Sequence, residues 1–247
     1  MKYSIELVPR SWETLNTEAE EVSQFSQINT LNIPDLLRFD VRSWDACDRL
    51  QDKFDEVIPH LRAIDFDLKN GFPLTDFFRH SKINSVLVVE GDPPQDISHR
   101  TYRNTSCELI RIIKKELPYM KVYAAIDQYR TSMRKELDYI HDKLDAGVDG
   151  FFTQPFFDLK FLDVYMDMLQ GTEVFWGLSP IHSETSKSYW ENKNDVVFPS
   201  DFEPTKEWNI KFGRAMIKKV QAKDDNVYFM PIRANASEYL SKLLAED

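Results

Sequence analysis

Short apolar segments alternate with amphipathic segments along the chain, and this alternation limits the possible folds more than any other feature. The apolar segments have the length of buried strands, and the segments between them carry apolar residues at helical spacing. Strands are predicted at residues 3–8, 26–32, 58–66, 85–89, 122–126, 150–153, 174–178 and 227–231. Helices are predicted at residues 43–57, 101–117, 131–146, 158–169, 205–222 and 235–247.

Strands that alternate with helices predict a parallel sheet. Eight such units in 247 residues favour a closed (β/α)8 TIM barrel over an open doubly wound sheet. The first strand is not followed by the Gly-x-Gly-x-x-Gly run that open dinucleotide-binding sheets carry. We therefore predict an α/β protein with a single TIM-barrel domain over residues 1–247.

Composition narrows the class of partner. A net charge of −10 argues against nucleic acid or an anionic membrane as the main partner. No apolar run reaches the roughly 18 residues of a membrane span, and the N-terminus lacks a signal peptide. Cys47 and Cys107 lie far apart without metal-ligand spacing, which is typical of thiols in a reducing compartment. These features predict a cytoplasmic protein without a bound metal.

Two polar residues at predicted strand ends are candidates for function, because in a barrel these ends share one mouth. Glu6 lies in an otherwise apolar strand, where a carboxylate costs several kcal/mol unless it is partnered or protonated. Gln154 ends a strand among four phenylalanines, at 151, 152, 156 and 157. An amide in an apolar slot is suited to a flat ring with polar edges.

Other residues at these ends have two interpretations. Asp92, in a Gly-Asp-Pro-Pro run, is also typical of a plain turn. His60 is also consistent with a structural histidine, and Lys143 with a solvated helix residue unless a phosphate lies near. An unrelated barrel lyase or aldolase is an alternative, although the chain has no strand-end lysine and no cluster with metal-ligand spacing.

Glu6, the Gly-Asp-Pro run at residues 91–93 and Gln154 follow one another on the first, fourth and sixth strands. In this arrangement the chain resembles methylenetetrahydrofolate reductases. The likeness extends over residues 5–10, 88–94, 122–125 and 143–158, and more weakly over 176–181 and 229–234. It implies a barrel with FAD at its mouth, NADH or NADPH as the electron donor, and hydride transfer to methylenetetrahydrofolate that gives methyltetrahydrofolate.

The resemblance also implies roles for individual residues. Glu6 would be the general acid that opens the methylene bridge, a role that needs a carboxyl still protonated near neutral pH. Asp92 would lie near both the pterin and the flavin. The substrate contacts would be Gln154, Asp92, Phe229 and Arg233. The cofactor contacts would be Thr30, His60, Gly91, Ala125, Tyr129, Arg130 and Lys143.

One departure from the family pattern concerns the flavin. Glu90 stands where many members have an arginine before Gly-Asp, and it reverses the charge beside the expected diphosphate. Flavin would then bind differently, through Tyr129, Arg130 and Arg134, or not at all. Two flavin-free alternatives stay open. One is a folate-binding protein or subunit, and the other is a reductase in which the nicotinamide lies directly against the folate.

Residues 182–204 form the segment with the weakest pattern, and we expect a mobile lid over the mouth there. Trp190, Phe198 and Trp208 would either pack within the chain or contact a second copy, so a homo-oligomer is one alternative.

Overall fold

Eight parallel strands pair in chain order, and the eighth pairs with the first, so that the sheet closes into a barrel. The computed structural model describes residues 1–94, 99–232 and 234–245. The strands are β1 Tyr3–Glu6, β2 Thr30–Ile33, β3 Glu56–Arg62, β4 Ser85–Val89, β5 Lys121–Ile126, β6 Gly150–Pro155, β7 Glu173–Leu178 and β8 Asn226–Phe229. The predicted (β/α)8 TIM barrel is confirmed.

Helices lie between the strands. They are α1 Trp12–Val22, α2 Ser43–Leu50, α3 Thr75–His80, α4 Ser106–Glu116, α5 Met133–Asp145, α6 Leu159–Met168, α7 Glu184–Asn194, α8 Lys206–Gln221 and α9 Ala236–Leu243. Three of them, α1, α3 and α7, were not predicted as helices. In α1 the buried side chains are Leu15, Ala19 and Val22, a narrow stripe on an otherwise polar segment. Such a stripe gives only a weak periodic signal.

The start of β2 differs from the prediction in a way that matters for the site. The strand begins at Thr30 rather than at residue 26. Before it, the side chain of Asn29 accepts hydrogen bonds from the Tyr3 backbone at 3.1 Å and from the Thr30 hydroxyl at 3.1 Å. Thr30 is therefore the first residue of its strand, and Asn32 lies nearer the carboxyl end.

Alternate residues of each strand face the barrel interior or the surrounding helices, as expected from the two-residue period. The interior is filled by large rings, and Phe152 and Phe175 stack with their centroids 4.1 Å apart. Tyr123 meets Phe152 edge-on at 5.2 Å. Layers of side chains inside a barrel form a packed core rather than a channel. Ligands are therefore restricted to the ends of this barrel.

Residues 182–204 contain α7 and an aromatic cluster packed on the barrel end. Trp190 is only 1% exposed. Phe198 stacks on Phe202 at 4.2 Å, and Phe157 of the barrel lies 4.9 Å from Phe198. Trp208 packs against Phe202 at 4.5 Å. These aromatic residues thus pack within the chain, whereas lid motion and a homo-oligomer stay predictions.

Over the described part of the chain, no helix combines the length and the apolar character that crossing a membrane requires. Cys47 and Cys107 are both buried free thiols.

Candidate functional site

A cleft of about 750 Å³ opens at the carboxyl ends of β4, β5 and β6, beside α5 and the end of α7. This volume lies in the range that accommodates one drug-sized ligand. Of the residues predicted from sequence to form a site, those that line the cleft are Gly91, Asp92, Ala125, Arg130, Lys143 and Gln154. The structure therefore brings together the predicted residues of three neighbouring strands.

Gln154 lies at an irregularity in β6. The register between β6 and β7 shifts between Phe152 and Pro155, which is the signature of a bulge. Gly177 on β7 faces this bulge, and a Cβ there would lie 2.7 Å from the carbonyl oxygens of Thr153 and Gln154. The Thr153 hydroxyl accepts the Gly177 backbone N–H at 2.9 Å. The bulge thus aims Gln154 at the cleft, and no described residue hydrogen-bonds its side-chain amide.

The loop after β5 holds the bulge from the other side. The buried amide of Gln128 donates from Nε2 to the carbonyl oxygens of Gln154 at 2.8 Å and of Pro155 at 3.2 Å. The hydroxyl of Tyr129 donates to the Pro155 carbonyl at 2.9 Å. Bulged carbonyls have lost their ladder partners, and these side chains replace them. The expectation that Tyr129 contacts a flavin is not supported, because its hydroxyl is used inside the protein and it does not line the cleft.

Asp92 lies on a turn that Arg62 fixes. Arg62, at the end of β3, donates from Nη2 to the backbone carbonyl of Asp92 at 2.6 Å. Gly91 has a φ of +91°, and a Cβ on it would lie 2.9 Å from Arg62 Nε. Arg62 is in turn paired with Asp65 at 3.1 Å. Glycine is therefore required at position 91, and the carboxylate of Asp92 is held at the rim of the cleft.

Glu6 forms a different part of the mouth. It lines a narrow pocket of about 60 Å³ beside α1 and the chain after β8, and it does not line the large cleft. The hydroxyl of Tyr228, on β8, donates a short hydrogen bond to Glu6 Oε2. Burial raises the pKa of Glu6 to about 7, against the opposing effect of this hydrogen bond. About half of the carboxyl groups are therefore protonated at neutral pH, which suits a general acid.

A polar chain crosses the barrel interior below this mouth. The amide of Asn32 donates to the Ser4 hydroxyl at 2.8 Å, and His60 Nε2 lies 2.9 Å from Asn32 Oδ1. Because Asn32 uses its NH₂ on Ser4, its oxygen is the acceptor, which assigns the ring proton to Nε2 of His60. Burial lowers the pKa of His60 to about 3. His60 is thus a neutral histidine that is held in one tautomer.

A second set of buried polar groups lies on the α5 side of the cleft. The Tyr139 hydroxyl donates to Glu90 Oε2 at 2.7 Å. Lys143 is 4% exposed, and its ammonium group donates to the Ala125 carbonyl at 2.6 Å. The same ammonium lies 4.0 Å from Glu136 and 3.9 Å from the centre of the Tyr139 ring. Glu90 and Lys143, whose charges face this wall of the cleft, therefore both have partners inside the protein.

Two further residues that the resemblance assigns to the site lie away from the large cleft. Thr30 faces a separate cavity at the amino-terminal end of the barrel, far from the mouth, because β2 starts at this residue. Phe229 is fully buried and stacks on Tyr3 at 5.8 Å in the layer between strands and helices, so it does not reach a ligand at the mouth. Arg233, the remaining predicted substrate contact, lies outside the described residues.

The family profile of methylenetetrahydrofolate reductase matches residues 39–224. That span includes β3 to β7 and every residue that lines the large cleft. The chain belongs to the methylenetetrahydrofolate reductase family. Glu6 and Tyr228 lie outside the matched span, in the first and last strands of the same barrel.

Solved structures agree with this family fold. A protein from Clostridium thermocellum that binds two copies of 5-methyl-5,6,7,8-tetrahydrofolic acid superposes with a TM-score of 0.66 at 14% identity, over 98% of this chain and 93% of that chain. A 2,3-dimethylmalate lyase reaches 0.56 at 9% identity, over 95% and 75%. A truncated 3-deoxy-D-arabino-heptulosonate 7-phosphate synthase from Thermotoga maritima reaches 0.52 at 10% identity, over 94% and 74%. At these identities the likeness shows the barrel fold alone.

Two residues of this family member, Glu90 and Lys143, do not fit the FAD diphosphate in the way the resemblance implies. A diphosphate needs free cations or free backbone N–H groups. Lys143 is buried against Glu136 and Ala125, and Glu90 places a carboxylate, bound by the Tyr139 hydroxyl, on the same wall. Of the two cations that the resemblance assigns to the flavin, Lys143 is therefore already paired, whereas Arg130 is exposed on the cleft and forms no ion pair within 4.0 Å among the described residues.

Among residues 1–94, 99–232 and 234–245, no group of three or more His, Cys, Asp or Glu side chains is placed to hold a metal ion.

Three residues of this site were missed by the sequence reasoning: Arg62, Gln128 and Tyr228. The sequence contains a signal for Arg62, because a cation at the end of an apolar strand is costly unless it has a partner. The sequence contains no such signal for Tyr228, because β8 is buried on both faces and lacks the alternation of polar and apolar residues that marks one face. Gln128 had no signal either, because it binds the backbone carbonyls of Gln154 and Pro155, which are free to accept only where β6 bulges.

Proposed function

We propose that this family member binds a reduced folate in the large cleft and reduces its methylene bridge to a methyl group. The observation that carries the folate assignment is Gln154, whose uncommitted side-chain amide is aimed into the cleft by a bulge and by Gln128. A pterin has a flat ring and a hydrogen-bonding edge, which an amide and a nearby carboxylate recognise together. Asp92, on the rim of the same cleft, supplies the carboxylate.

The fold comparison supports this ligand class. The Clostridium thermocellum protein, which shares the fold over nearly the whole chain, binds 5-methyl-5,6,7,8-tetrahydrofolic acid. Family membership points to the same class of molecule. Family membership and the amide and carboxylate of the cleft therefore both support a reduced folate as the ligand.

The reduction requires a proton and a hydride. Glu6 would give its proton to the bridge nitrogen N10 as the C–N10 bond breaks, which leaves a methylene iminium at N5. A hydride from the reduced nicotinamide then converts the iminium to a methyl group, and the nicotinamide becomes oxidised. A carboxyl with a pKa of about 7 holds this proton in about half of the molecules at neutral pH. Tyr228 fixes the carboxyl by its hydrogen bond. We assign no step to flavin, because Lys143 is paired with Glu136 and Glu90 places a carboxylate on the same wall of the cleft.

A second candidate function is folate binding without reduction, in a carrier or subunit. The observation that favours it is the separation of the two openings, since Glu6 lines the narrow pocket whereas Gln154 and Asp92 line the cleft. A bound folate in the cleft would then lie beyond the reach of the acid.

An anaerobic assay separates these functions. The purified chain is mixed with methylenetetrahydrofolate and NADH or NADPH, with and without added FAD, and methyltetrahydrofolate is quantified. We expect product without added FAD, and a loss of at least about 100-fold in rate for Glu6→Gln, in the range of one general acid. Glu21→Gln, an exposed carboxylate on the same narrow pocket, is the matched control. Folate binding with no turnover under any condition would support the carrier, and product only with added FAD would contradict the flavin-free route.

A further inference from the structure

We propose that the narrow pocket beside α1 is the route by which solvent returns a proton to Glu6 between turnovers, and that Glu18 passes this proton on. Both carboxyl residues line the narrow pocket, and neither lines the cleft that holds Gln154. The inference rests on the proposed reduction, and it gives the second opening of the barrel mouth a function. Folate enters by the cleft, and protons enter by the narrow pocket.

The proposed reaction leaves Glu6 without its proton. When the bond between the methylene carbon and N10 breaks, the electron pair stays on N10, which takes the proton of Glu6. The hydride then reduces the carbon, and Glu6 remains as a carboxylate. One proton from water has to reach this carboxylate before the next turnover. A folate and a nicotinamide that fill the cleft exclude water from it, so the proton has to arrive from another side.

The carboxyl group of Glu6 is arranged for such a return. The Tyr228 hydroxyl donates to Oε2. Within the described part of the chain, no group hydrogen-bonds Oε1. Because Oε2 is occupied as an acceptor, Oε1 is the oxygen that carries the exchangeable proton. Glu6 lines the narrow pocket, so water that enters this pocket can protonate the carboxylate.

The size of the narrow pocket suits water rather than a substrate. Its volume is about 60 Å³. Each water molecule needs roughly 10–15 Å³ of such space, so the pocket holds a short chain of waters. Pockets for drug-sized ligands measure about 300–1,000 Å³, and a pterin or nicotinamide therefore does not fit.

The chain after β8 contributes a wall that does not bind protons. Apolar residues on this wall are Pro231, Ile232, Ala234 and Ala236. Asn235, in the same segment, uses its side-chain oxygen to cap α9. Protons are therefore exchanged on the opposite side of the narrow pocket, which is formed by the end of β1, the following turn and α1.

Glu18 connects this acidic side with solvent. It lies next to the buried stripe of α1, and its side chain is 31% exposed. Arg10 pairs with Glu18 at 3.1 Å and holds the carboxylate at the narrow pocket. Burial raises the pKa of Glu18, against the effect of Arg10. A carboxyl whose pKa is raised towards neutrality transfers protons more efficiently at neutral pH.

Glu21 also lines the narrow pocket but lies outside the proposed route. Its side chain is exposed, whereas Glu18 is half-buried. An exposed carboxylate exchanges its proton directly with bulk water, so it adds no step between bulk water and Glu6. Loss of Glu21 therefore leaves the route through Glu18 in place.

Rapid mixing under anaerobic conditions separates proton return from the chemical step. The chain is loaded with methylenetetrahydrofolate and mixed with NADH or NADPH at about pH 6, where most Glu6 carboxyls start protonated because their pKa is about 7. Glu18→Gln should keep the rate of the first turnover. Its later turnovers should be about tenfold slower, because the acid is intact and only its reprotonation is impaired. Ala236→Leu, which fills the narrow pocket without changing a carboxylate, should have the same effect.

Glu20→Gln is the matched control, since Glu20 is on the same helix and pairs with Lys53 but does not line the narrow pocket. It should keep the wild-type rates of all turnovers. Imidazole added at constant pH should restore the later turnovers of Glu18→Gln, because it delivers protons in place of the missing carboxyl. A merely structural role of Glu18 predicts no such rescue.

Wild-type rates of the later turnovers in both pocket variants would overturn the proton route. A slower first turnover in Glu18→Gln, or no rescue by imidazole, would overturn it as well. Absence of a first turnover in the wild-type chain, with and without FAD, would instead overturn the proposed reduction, and the route with it.

Discussion

The side-chain amide of Gln128 donates a 2.8 Å hydrogen bond to the backbone carbonyl of Gln154. This contact joins the loop after β5 to the bulge that ends β6, and Gln128 is itself only 5% exposed. The loop therefore determines where the amide that faces the cleft can lie. Substitution of Gln128, which does not line the cleft, should therefore alter ligand binding.

Replacement Gln128→Met should weaken reduced-folate binding about tenfold, which corresponds to about 1.4 kcal/mol. The methionine keeps the volume but leaves the carbonyls of Gln154 and Pro155 without their donor, so we also expect a loss of about 1 kcal/mol in the free energy of unfolding. Titration calorimetry and urea unfolding measure the two effects. Gln170→Met, at an exposed glutamine that bonds only Asp167, should change neither value. Unchanged folate affinity in Gln128→Met would show that the bulge does not depend on this clamp.

Replacement Tyr228→Phe should move the pH dependence of the reaction to higher pH. The hydrogen bond from Tyr228 lowers the pKa of Glu6, and burial raises it, so loss of the bond leaves burial unopposed. The pKa of Glu6 should then rise further above about 7. The measurement is the pH profile of kcat/KM, whose alkaline limb reports the acid of the free enzyme. A limb at the same pH in both proteins would contradict the pairing of Tyr228 with Glu6.

Glu6→Gln should become more stable relative to the wild-type chain as pH rises. In the folded wild-type chain the pKa of Glu6 is about 7, against an ordinary value of 4.5. Between these two values the unfolded chain has lost the proton that the folded chain keeps, so the stability of the wild-type chain falls with pH. The difference should reach at most about 3 kcal/mol near pH 7 and stay constant above it. Urea unfolding at several pH values measures it, and equal slopes in both proteins would contradict a protonated Glu6.

Replacement Lys143→Met should destabilise the fold by about 3 kcal/mol or more, because it leaves the buried Glu136 carboxylate without its cation. Adding Glu136→Gln should recover a large part of this loss, since the amide removes the uncompensated charge. Thermal unfolding of the single and double variants measures the recovery. If Lys143→Met were neutral, the ammonium would instead be available to an anionic ligand in the cleft.

The fold could be predicted from the sequence because eight apolar strands alternate with helices, and few known architectures accommodate that pattern. Gln154 and Asp92 were found at strand ends by the same logic. The roles predicted for Thr30 and Phe229 came from the family resemblance, and the structure places both residues away from the large cleft. A strand in a buried sheet does not show where it starts, and β2 begins at Thr30 rather than at residue 26. The partners of Glu6 and Lys143 come from distant parts of the chain, at Tyr228 and Ala125, and no local pattern reveals them.

The most direct test of the central claim is the titration of 5-methyltetrahydrofolate into the wild-type chain and into Gln154→Leu. The leucine preserves the approximate size of the side chain and removes only its hydrogen-bonding groups. We predict saturable binding to the wild-type chain and at least about tenfold weaker binding to Gln154→Leu, the cost of an unpaired polar edge on the ligand. Equal affinity of the two proteins, or no binding to the wild-type chain, would contradict a folate site at Gln154.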